Sequence, residues 1–368
     1  MLERYRKQAL VGEIGEAGQR RIGRGRVLVV GAGGLGCAVL PYLAGAGVGR
    51  ITIVDDDRVE RSNLQRQVLF GESSIGRSKA RAAAARLADL NPDIDVRAVP
   101  ARLDPDNVGP LLGRHDIVID GTDNYATKYL LADACVRFGR PLVYGSVTGM
   151  DALVSIFEAG SGPCLRCLFP EAPRGWVPNC AEAGVLGPLV GITGTMQAAE
   201  AIKLLAGAEC PDLAPIVGRL WTMDARTGQS RLLSVSRRAD CSVCSQPPDR
   251  IDLGVHAAAS ALPEIDAADI ECYPGWPLLD VREPAEFAHG HAPGSVNVPL
   301  SSLQRGCAPI PASDRGYLIY CSTGKRCHEA GSLLRTGSDA EIRIVRGGYD
   351  ALCTDPSAGS AAPRRQPV

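Results

Sequence analysis

The chain has 368 residues, 45% of them apolar, and 40 Lys and Arg against 41 Asp and Glu leave a net charge of −1. Such a length calls for more than one core, and the balanced charge removes any electrostatic case for a nucleic-acid partner or an anionic membrane surface. The N-terminus MLERYRKQAL is charged where a secretory signal needs an apolar run, and no stretch approaches the roughly 20 apolar residues of a spanning helix, so a cytoplasmic protein with no membrane partner is expected.

Residues 26–30 (RVLVV) read as a buried strand, followed by the glycine run GAGGLG, a helix-period segment CAVLPYLAGAG and a second strand at 50–54 that ends in three aspartates. The alternation continues with a helix at about 78–90, strands near 94–99 and 116–120, a helix at about 126–138 and a strand from 141 to 146. Alternation of this kind predicts an α/β domain with a mostly parallel, Rossmann-like sheet. From Asp151 the pattern changes to a short strand, a Pro-, Gly- and Cys-rich stretch up to Gly187, and one long helical segment at roughly 189–205. The long loop before that helix is of a length that marks functional segments. These signals divide the chain into a first domain over 1–249, a linker at 250–261, a second domain over 262–353 and a disordered tail at 354–368.

In Gly31-Ala32-Gly33-Gly34-Leu35-Gly36 the glycines allow a tight strand-to-helix turn and let phosphate approach amides at a helix N-terminus. Asp55 follows at the end of the next strand, where a carboxylate binds ribose hydroxyls. Alone, the motif reads as a dinucleotide site of an NAD-dependent dehydrogenase. The runs Ser62-Asn63-Leu64-Gln65-Arg66-Gln67 and Gly76-Arg77-Ser78-Lys79 shift it toward a triphosphate, because Arg66 and Lys79 can neutralise charge on phosphoryl oxygens. Asp120-Gly121-Thr122-Asp123-Asn124 ends a strand at the carboxyl edge of the sheet, where Asp123 can hold a Mg²⁺ ion on the phosphates.

With RYRKQ near the start, GAGGLG, SNLQRQ, GRSK, DGTDN, two CxxC pairs and CAEAGV, the region from Leu2 to Gln246 resembles the MoeB/ThiF family, prokaryotic relatives of ubiquitin-activating enzymes. The resemblance implies adenylation by ATP of the C-terminal Gly-Gly carboxylate of a ubiquitin-like sulfur carrier. It implies Gly31, Gly33, Gly34 and Gly36 at the nucleotide, Asp55 on the ribose, Arg66 and Lys79 on the phosphates, Asp123 on the metal and developing charge, and Asn63 and Asn124 among the ATP contacts. It also implies a homodimer, in which Lys7, where the family more often has arginine, reaches the partner's phosphates without arginine's planar fork.

Thirteen cysteines, an odd number, fit thiol and metal chemistry in a reducing compartment better than a disulfide framework. Cys164-Leu165-Arg166-Cys167 and Cys241-Ser242-Val243-Cys244 form two knuckles of a closed, structural Zn²⁺ site, expected to pin the end of the first domain to the loop near its active site. Cys180, in VPNCAEAGV, lies where ubiquitin-activating relatives place a thioester- or acyl-disulfide-forming cysteine.

In the second domain Cys321 opens the run CSTGKR directly after the apolar residues 317–320. The amides of Ser322, Thr323, Gly324, Lys325 and Arg326 can turn toward its sulfur, and the two cations suit a thiolate or persulfide. Together with LDVREP, EF, GHAPGSVNVP and RGGY, this run resembles a rhodanese domain, with Asp280 and Arg282 near the active loop. A cysteine phosphatase of the same fold needs one more residue between cysteine and arginine, so sulfur transfer is the reading here. Cys327, where the family often has serine, is read as inert rather than as a disulfide partner of Cys321.

The two halves make one reaction sequence: adenylation of a carrier, then transfer of sulfur from a Cys321 persulfide to give a thiocarboxylate. A cysteine desulfurase or another sulfur donor would load Cys321. The alternatives are adenylation alone with a separate persulfide relay, a dehydrogenase, and a non-enzymatic scaffold for a ubiquitin-fold partner.

Overall fold

The computed structural model describes residues 2–158, 160, 162–172, 184–207, 213–254, 262–322, 325–335 and 340–354. They form two compact units, one of the described residues up to 254 and one of those from 262 onward. The expected linker falls largely on 255–261 and the expected tail on 355–368, outside the described residues.

The first unit is an eight-stranded sheet. Its strands are β1 (Arg26–Val30), β2 (Arg50–Val54), β3 (Asp95–Val99), β4 (Ile117–Asp120), β5 (Leu142–Thr148), β6 (Asp151–Phe157), β7 (Arg219–Asp224) and β8 (Gln229–Ser234), in spatial order β3-β2-β1-β4-β5-β6-β7-β8. The strands β3, β2, β1, β4 and β5 run parallel, whereas β6, β7 and β8 continue the sheet antiparallel. Four residues of β1 are fully or nearly fully buried, as two-sided cover requires. That cover comes from helices α1 (Leu2–Ala9), α2 (Gly15–Ile22), α3 (Gly34–Gly45), α4 (Lys79–Leu90), α5 (Val108–Leu112), α6 (Tyr125–Arg137), the single turn α7 (Leu165–Leu168) and α8 (Gly187–Ala206).

The helices begin where local chemistry predicts. Ser78 caps α4 by accepting from the Arg81 amide, and Asn124 caps α6 by accepting from Thr127 at 2.9 Å. On α3 and α8 small residues face each other: a methyl added at Gly194 would lie 2.6 Å from the Leu35 carbonyl, so this glycine sets how closely the helices approach. Several elements carry weak sequence signals and are found only in the structure. Helices α1 and α2 are rich in charge, and β8 is exposed at every position, so it shows no buried face to read.

The second unit is a five-stranded, wholly parallel sheet built from β9 (Glu264–Ile265), β10 (Leu278–Asp280), β11 (Val296–Asn297), β12 (Gly316–Tyr320) and β13 (Glu341–Val345), in order β11-β10-β12-β13-β9. Strand β12 is central and buried along its whole length. Helices α9 (Pro284–His289), α10 (Leu300–Gln304), α11 (Lys325–Arg335) and α12 (Gly348–Thr354) complete it. Among the described residues no helix is long and apolar enough to cross a membrane.

Candidate functional site

Strand register brings three loops of the first unit together. Val30 pairs with Val54 on one side and Asp120 on the other, so the chain leaves β1, β2 and β4 side by side at the carboxyl edge of the sheet. The order reverses between β1 and β4, the position at which open α/β sheets bind ligands. Gly31 has φ +93, and a methyl there would sit 2.6 Å from the Gly121 carbonyl, so the glycine run and the DGTDN run are in backbone contact. Gly33 forms the N-cap of α3, and a side chain at Gly36 would strike the Gly31 carbonyl.

The carboxylates divide into those that build the loops and one that faces out of them. Asp55 accepts from the Ala32 amide and, through its other oxygen, from the Asp57 amide, each at 2.8 Å. Burial raises its carboxyl above the ordinary range, with Lys79 and these amides opposing. Asp120 is fully buried, accepts from the Thr122 amide and hydroxyl and pairs with Lys128 at 2.8 Å, whose Nζ also donates to the Gly145 carbonyl. That spends Asp120 on the fold, while Asp123, two positions on from the turn, is exposed.

The other residues singled out in the sequence cluster around this edge. Lys79 is buried and donates to Asp57 at 3.0 Å, a partner that sequence reasoning missed. Asn63 is buried in a reciprocal capping pair with Glu60. Arg66 is half-buried, with its guanidinium on the Ser62 carbonyl at 3.3 Å, and its stem lies 3.7 Å from a methyl built at Gly34. Also missed was Gln67: it is 3% exposed, its Oε1 has no hydrogen-bond partner among the described residues, and its Nε2 lies 3.9 Å from a methyl built at Gly33. Cys37, in the first turns of α3, donates its thiol to the Ala32 carbonyl, and burial pushes it up to about 12, so it stays protonated. Lys7 is exposed on α1, and Cys180 lies outside the described residues.

The four knuckle cysteines converge. Cys164 Sγ lies 3.8 Å from Cys167 and 3.5 Å from Cys241, and Cys167 lies 3.5 Å from Cys244. All four are buried, with their sulfurs within 4.8 Å of one another. A zinc ion bonded to sulfur at about 2.3 Å sets tetrahedral S···S edges of about 3.8 Å, so this cluster fits a Zn(Cys)₄ centre. The knuckle helix α7 is tied to the body through Arg166, which pairs with Asp133 at 2.7 Å and stacks over Tyr129 at 4.5 Å.

In the second unit Cys321 follows the end of β12 and is 1% exposed. Its carbonyl accepts from the Tyr349 amide at 2.7 Å, and methyls at Gly348 would lie 2.2 Å from that carbonyl and 2.7 Å from the Ser322 carbonyl. The RGGY run thus lies directly against Cys321 and Ser322 through Gly348, at φ +59, while Gly347, at φ +73, packs on Ala351. Asp280, opposite Tyr320 in the neighbouring strand, holds Arg282 through two nitrogens at 2.6 to 3.1 Å, and Arg282 stacks on the Tyr349 ring at 4.1 Å.

Arg326, in the first turn of α11, is gripped by Glu286, with bonds of 2.7 and 2.8 Å, and donates to Ser322 Oγ at 2.9 Å. Arg326 holds the Glu286 carboxyl down at about 2. Sequence reasoning assigned no role to Glu286. Its legible signals are its place in the EF run and the capping box it forms with Glu283 at the start of α9. Thr323 and Gly324, and the side chain of Lys325, lie outside the described residues.

This pairing of a β1–β2–β4 nucleotide edge with a buried strand-end cysteine agrees with comparison to known proteins. The ThiF family matches residues 5–243, well over half of the chain. The chain belongs to the ThiF family. A rhodanese-like domain follows at residues 263–355. Over 258 residues the chain is 45% identical to the sulfur carrier protein adenylyltransferase of Thermus thermophilus, covering 68% of this chain and 94% of that protein. It is 37% identical over 364 residues to a probable adenylyltransferase/sulfurtransferase, MoeZ, of Mycobacterium tuberculosis, covering 95% and 92%. It is 39% identical over 385 residues to the adenylyltransferase and sulfurtransferase MOCS3 of Drosophila ananassae, covering 97% and 84%. The ThiF unit also superposes on the crystal structure of E. coli MccB with ATP, with a TM-score of 0.57 and 20% identity over 66% of this chain and 75% of that one, which establishes a shared fold.

Proposed function

We propose that this chain uses ATP to adenylate the C-terminal Gly-Gly carboxylate of a ubiquitin-like sulfur carrier and then transfers sulfur from a Cys321 persulfide to that carrier, giving a thiocarboxylate. The observation that carries the reading is the presence, in one ThiF-family chain, of a glycine-loop edge with Asp55, Arg66, Lys79 and Asp123 around it and of a buried cysteine at the end of a parallel strand, followed in the chain by the Glu286-held Arg326. The relatives named above for both activities, matched over most of their length, support it.

In this reading ATP lies across the β1 and β4 loops, with Asp55 on the ribose and Gly31 to Gly36, Asn63 and Asn124 shaping the pocket. The carrier carboxylate attacks the α-phosphorus and pyrophosphate departs. Arg66 and Lys79 meet the charge that builds on the phosphoryl oxygens, which is where fixed cations contribute most. Asp123 is the residue that would hold Mg²⁺, whose charge lowers the repulsion between carboxylate and phosphate. Lys7 of a second copy of the chain completes the phosphate site in a homodimer. Cys164, Cys167, Cys241 and Cys244 would hold Zn²⁺ in a purely structural role, since four protein ligands leave no open position. A cysteine desulfurase or another donor loads Cys321. Cys180 is a candidate for relaying the carrier as a thioester or acyl disulfide.

The test is the intact mass of candidate Gly-Gly-ending carriers after incubation with the chain, Mg-ATP and thiosulfate, beside Cys321→Ala. A gain of about 16 Da, oxygen replaced by sulfur, that vanishes with Cys321→Ala is the expected result. Carrier-dependent pyrophosphate exchange without any mass gain would reduce the activity to adenylation alone. Absence of exchange with every carrier would overturn the proposal.

A further inference from the structure

The turn that carries Arg66 continues into Gln67, whose backbone is fully engaged: its amide donates to the Asn63 carbonyl at 3.0 Å, and its carbonyl accepts from the Phe70 amide at 3.0 Å. Its side chain reaches the glycine loop. A methyl built at Gly33 would have Gln67 Nε2 at 3.9 Å and the Gly121 carbonyl oxygen at 4.0 Å, so the carboxamide lies where the β1 and β4 loops meet. The residue is 3% exposed, and its Oε1 is buried with no hydrogen-bond partner among the described residues.

A buried carboxamide oxygen without a partner costs stability. Methionine would fill nearly the same volume with no such atom, so packing alone does not call for glutamine here. The position supplies a reason. Gly33 is the N-cap of the 12-residue helix α3 and has no side chain with which to cap it, so the first amides of α3, which lack partners inside the helix, have no side-chain cap either. Arg66 stands at the next residue of this helix end, its stem 3.7 Å from a methyl built at Gly34. Two consecutive residues thus bring a guanidinium and a carboxamide to an uncapped helix N-terminus, where phosphate is favoured.

We propose that Gln67 is a further nucleotide-binding residue of the adenylation site: its Nε2 donates to a phosphoryl oxygen of ATP seated at the N-terminus of α3. Its Oε1 then accepts from water that hydrates the phosphates, so the buried oxygen gains a partner when nucleotide binds. The inference rests on the nucleotide reading of the edge formed by the β1 and β4 loops.

A neutral donor suits the reaction. Arg66 and Lys79 already bring two positive charges to the phosphates in that reading, and the pyrophosphate formed there must leave. A third cation would hold ATP and pyrophosphate as firmly as the transition state, and binding that is uniform along the reaction gains no rate in the chemical step. A carboxamide fixes the direction of one phosphoryl oxygen through a hydrogen bond strengthened by the phosphate's charge, while adding no charge of its own. Burial strengthens that bond further, because little water competes for the donor.

The experiment uses the full-length chain without a carrier, so that binding is read apart from chemistry. Calorimetric titration of the wild-type protein with Mg-ATP comes first, and absence of binding would remove the nucleotide reading together with this inference. Gln67→Met should weaken Mg-ATP at least about tenfold, the worth of a hydrogen bond to a charged oxygen, while affinity for adenosine, which has no phosphate, changes by no more than about twofold. Its urea unfolding midpoint without nucleotide should match or exceed that of the wild type, because the variant removes a buried polar atom that has no partner among the described residues. Gln67→Glu, which sets a carboxylate against the phosphates, should weaken Mg-ATP further, at least about 100-fold, with adenosine again little changed. Mg-ATP affinity unchanged by Gln67→Met, equal losses for ATP and adenosine, or a lower urea midpoint would each overturn the assignment of Gln67 and leave the nucleotide reading standing.

Discussion

The loop after β1 and the loop after β12 both leave a parallel strand at its carboxyl edge and lead into a helix, yet they are built for opposite kinds of cargo. The first is opened by glycines whose missing side chains let backbones meet, and its charged groups, Asp55, Arg66, Lys79 and Asp123, come from several separate segments. At the second, one sulfur at the strand end is 1% exposed, and a single nearby cation in the chain, Arg326 in the first turn of α11, is held by a carboxylate. A triphosphate has many oxygens to neutralise and needs a wide ring of donors, while a single sulfur is served by a narrow, desolvated pocket.

The strongest way to break this comparison is to show that the two sites are not chemically separate. Asp123→Ala should lower carrier-dependent pyrophosphate exchange at least about 100-fold while leaving sulfur loading of Cys321 intact. Cys321→Ala should do the reverse, with exchange retained and loading abolished. Loss of both activities from either change would mean that the division into two sites is wrong.

A second test concerns what holds each loop. One zinc per chain is expected by metal analysis, and Cys241→Ser should lose it and destabilise the ThiF unit by several kcal/mol, on the order of 5. Thiosulfate sulfurtransferase activity of the other unit serves as the internal control and should persist. Removing the buried partner of Asp120 has a somewhat smaller expected effect: Lys128→Met strands a fully buried carboxylate, and should cost about 3–5 kcal/mol in urea unfolding, partly recovered with Asp120→Asn in the same chain.

The smallest effect sharpens the second site. The Glu286 carboxyl is depressed from 4.5 to about 2, so its contribution is fully present above pH 4.5 and is lost as pH falls toward 2. The Glu286–Arg326 pair therefore stays intact across the working range. Glu286→Gln removes that counter-charge and leaves the Arg326 charge to Cys321, so iodoacetamide should alkylate Cys321 at lower pH, by about half a unit to one unit. An upward movement would mean that Glu286 serves mainly to aim Arg326.

Much of this architecture was legible from residue order. Strands β1 and β2 fall on the predicted residues, and the helices after Ser78 and before Phe138 begin and end within a residue of expectation, because buried strands and capped helices carry local signals. The hairpin of β7 and β8 was not legible, since β8 has no buried face and its pairing partner alone makes it a strand. The roles within motifs were equally hidden: DGTDN contains two aspartates, and only burial separates Asp120, spent on Lys128, from the exposed Asp123.

The sequence by itself determined which chemistries the chain can carry, because glycine runs, paired CxxC knuckles and a cysteine followed by cations are local patterns whose meaning survives without a fold. It also determined where most elements of the parallel sheet lie, since burial on two faces writes itself into continuous apolar runs. Only the tertiary structure decided which partners those residues keep. Asp57 on Lys79, Glu286 on Arg326 and Gly348 against the Cys321 carbonyl all depend on how the chain packs. The energy of a charge or a thiol depends on its distance to other groups and on its exclusion from water, and neither quantity is written in the order of residues.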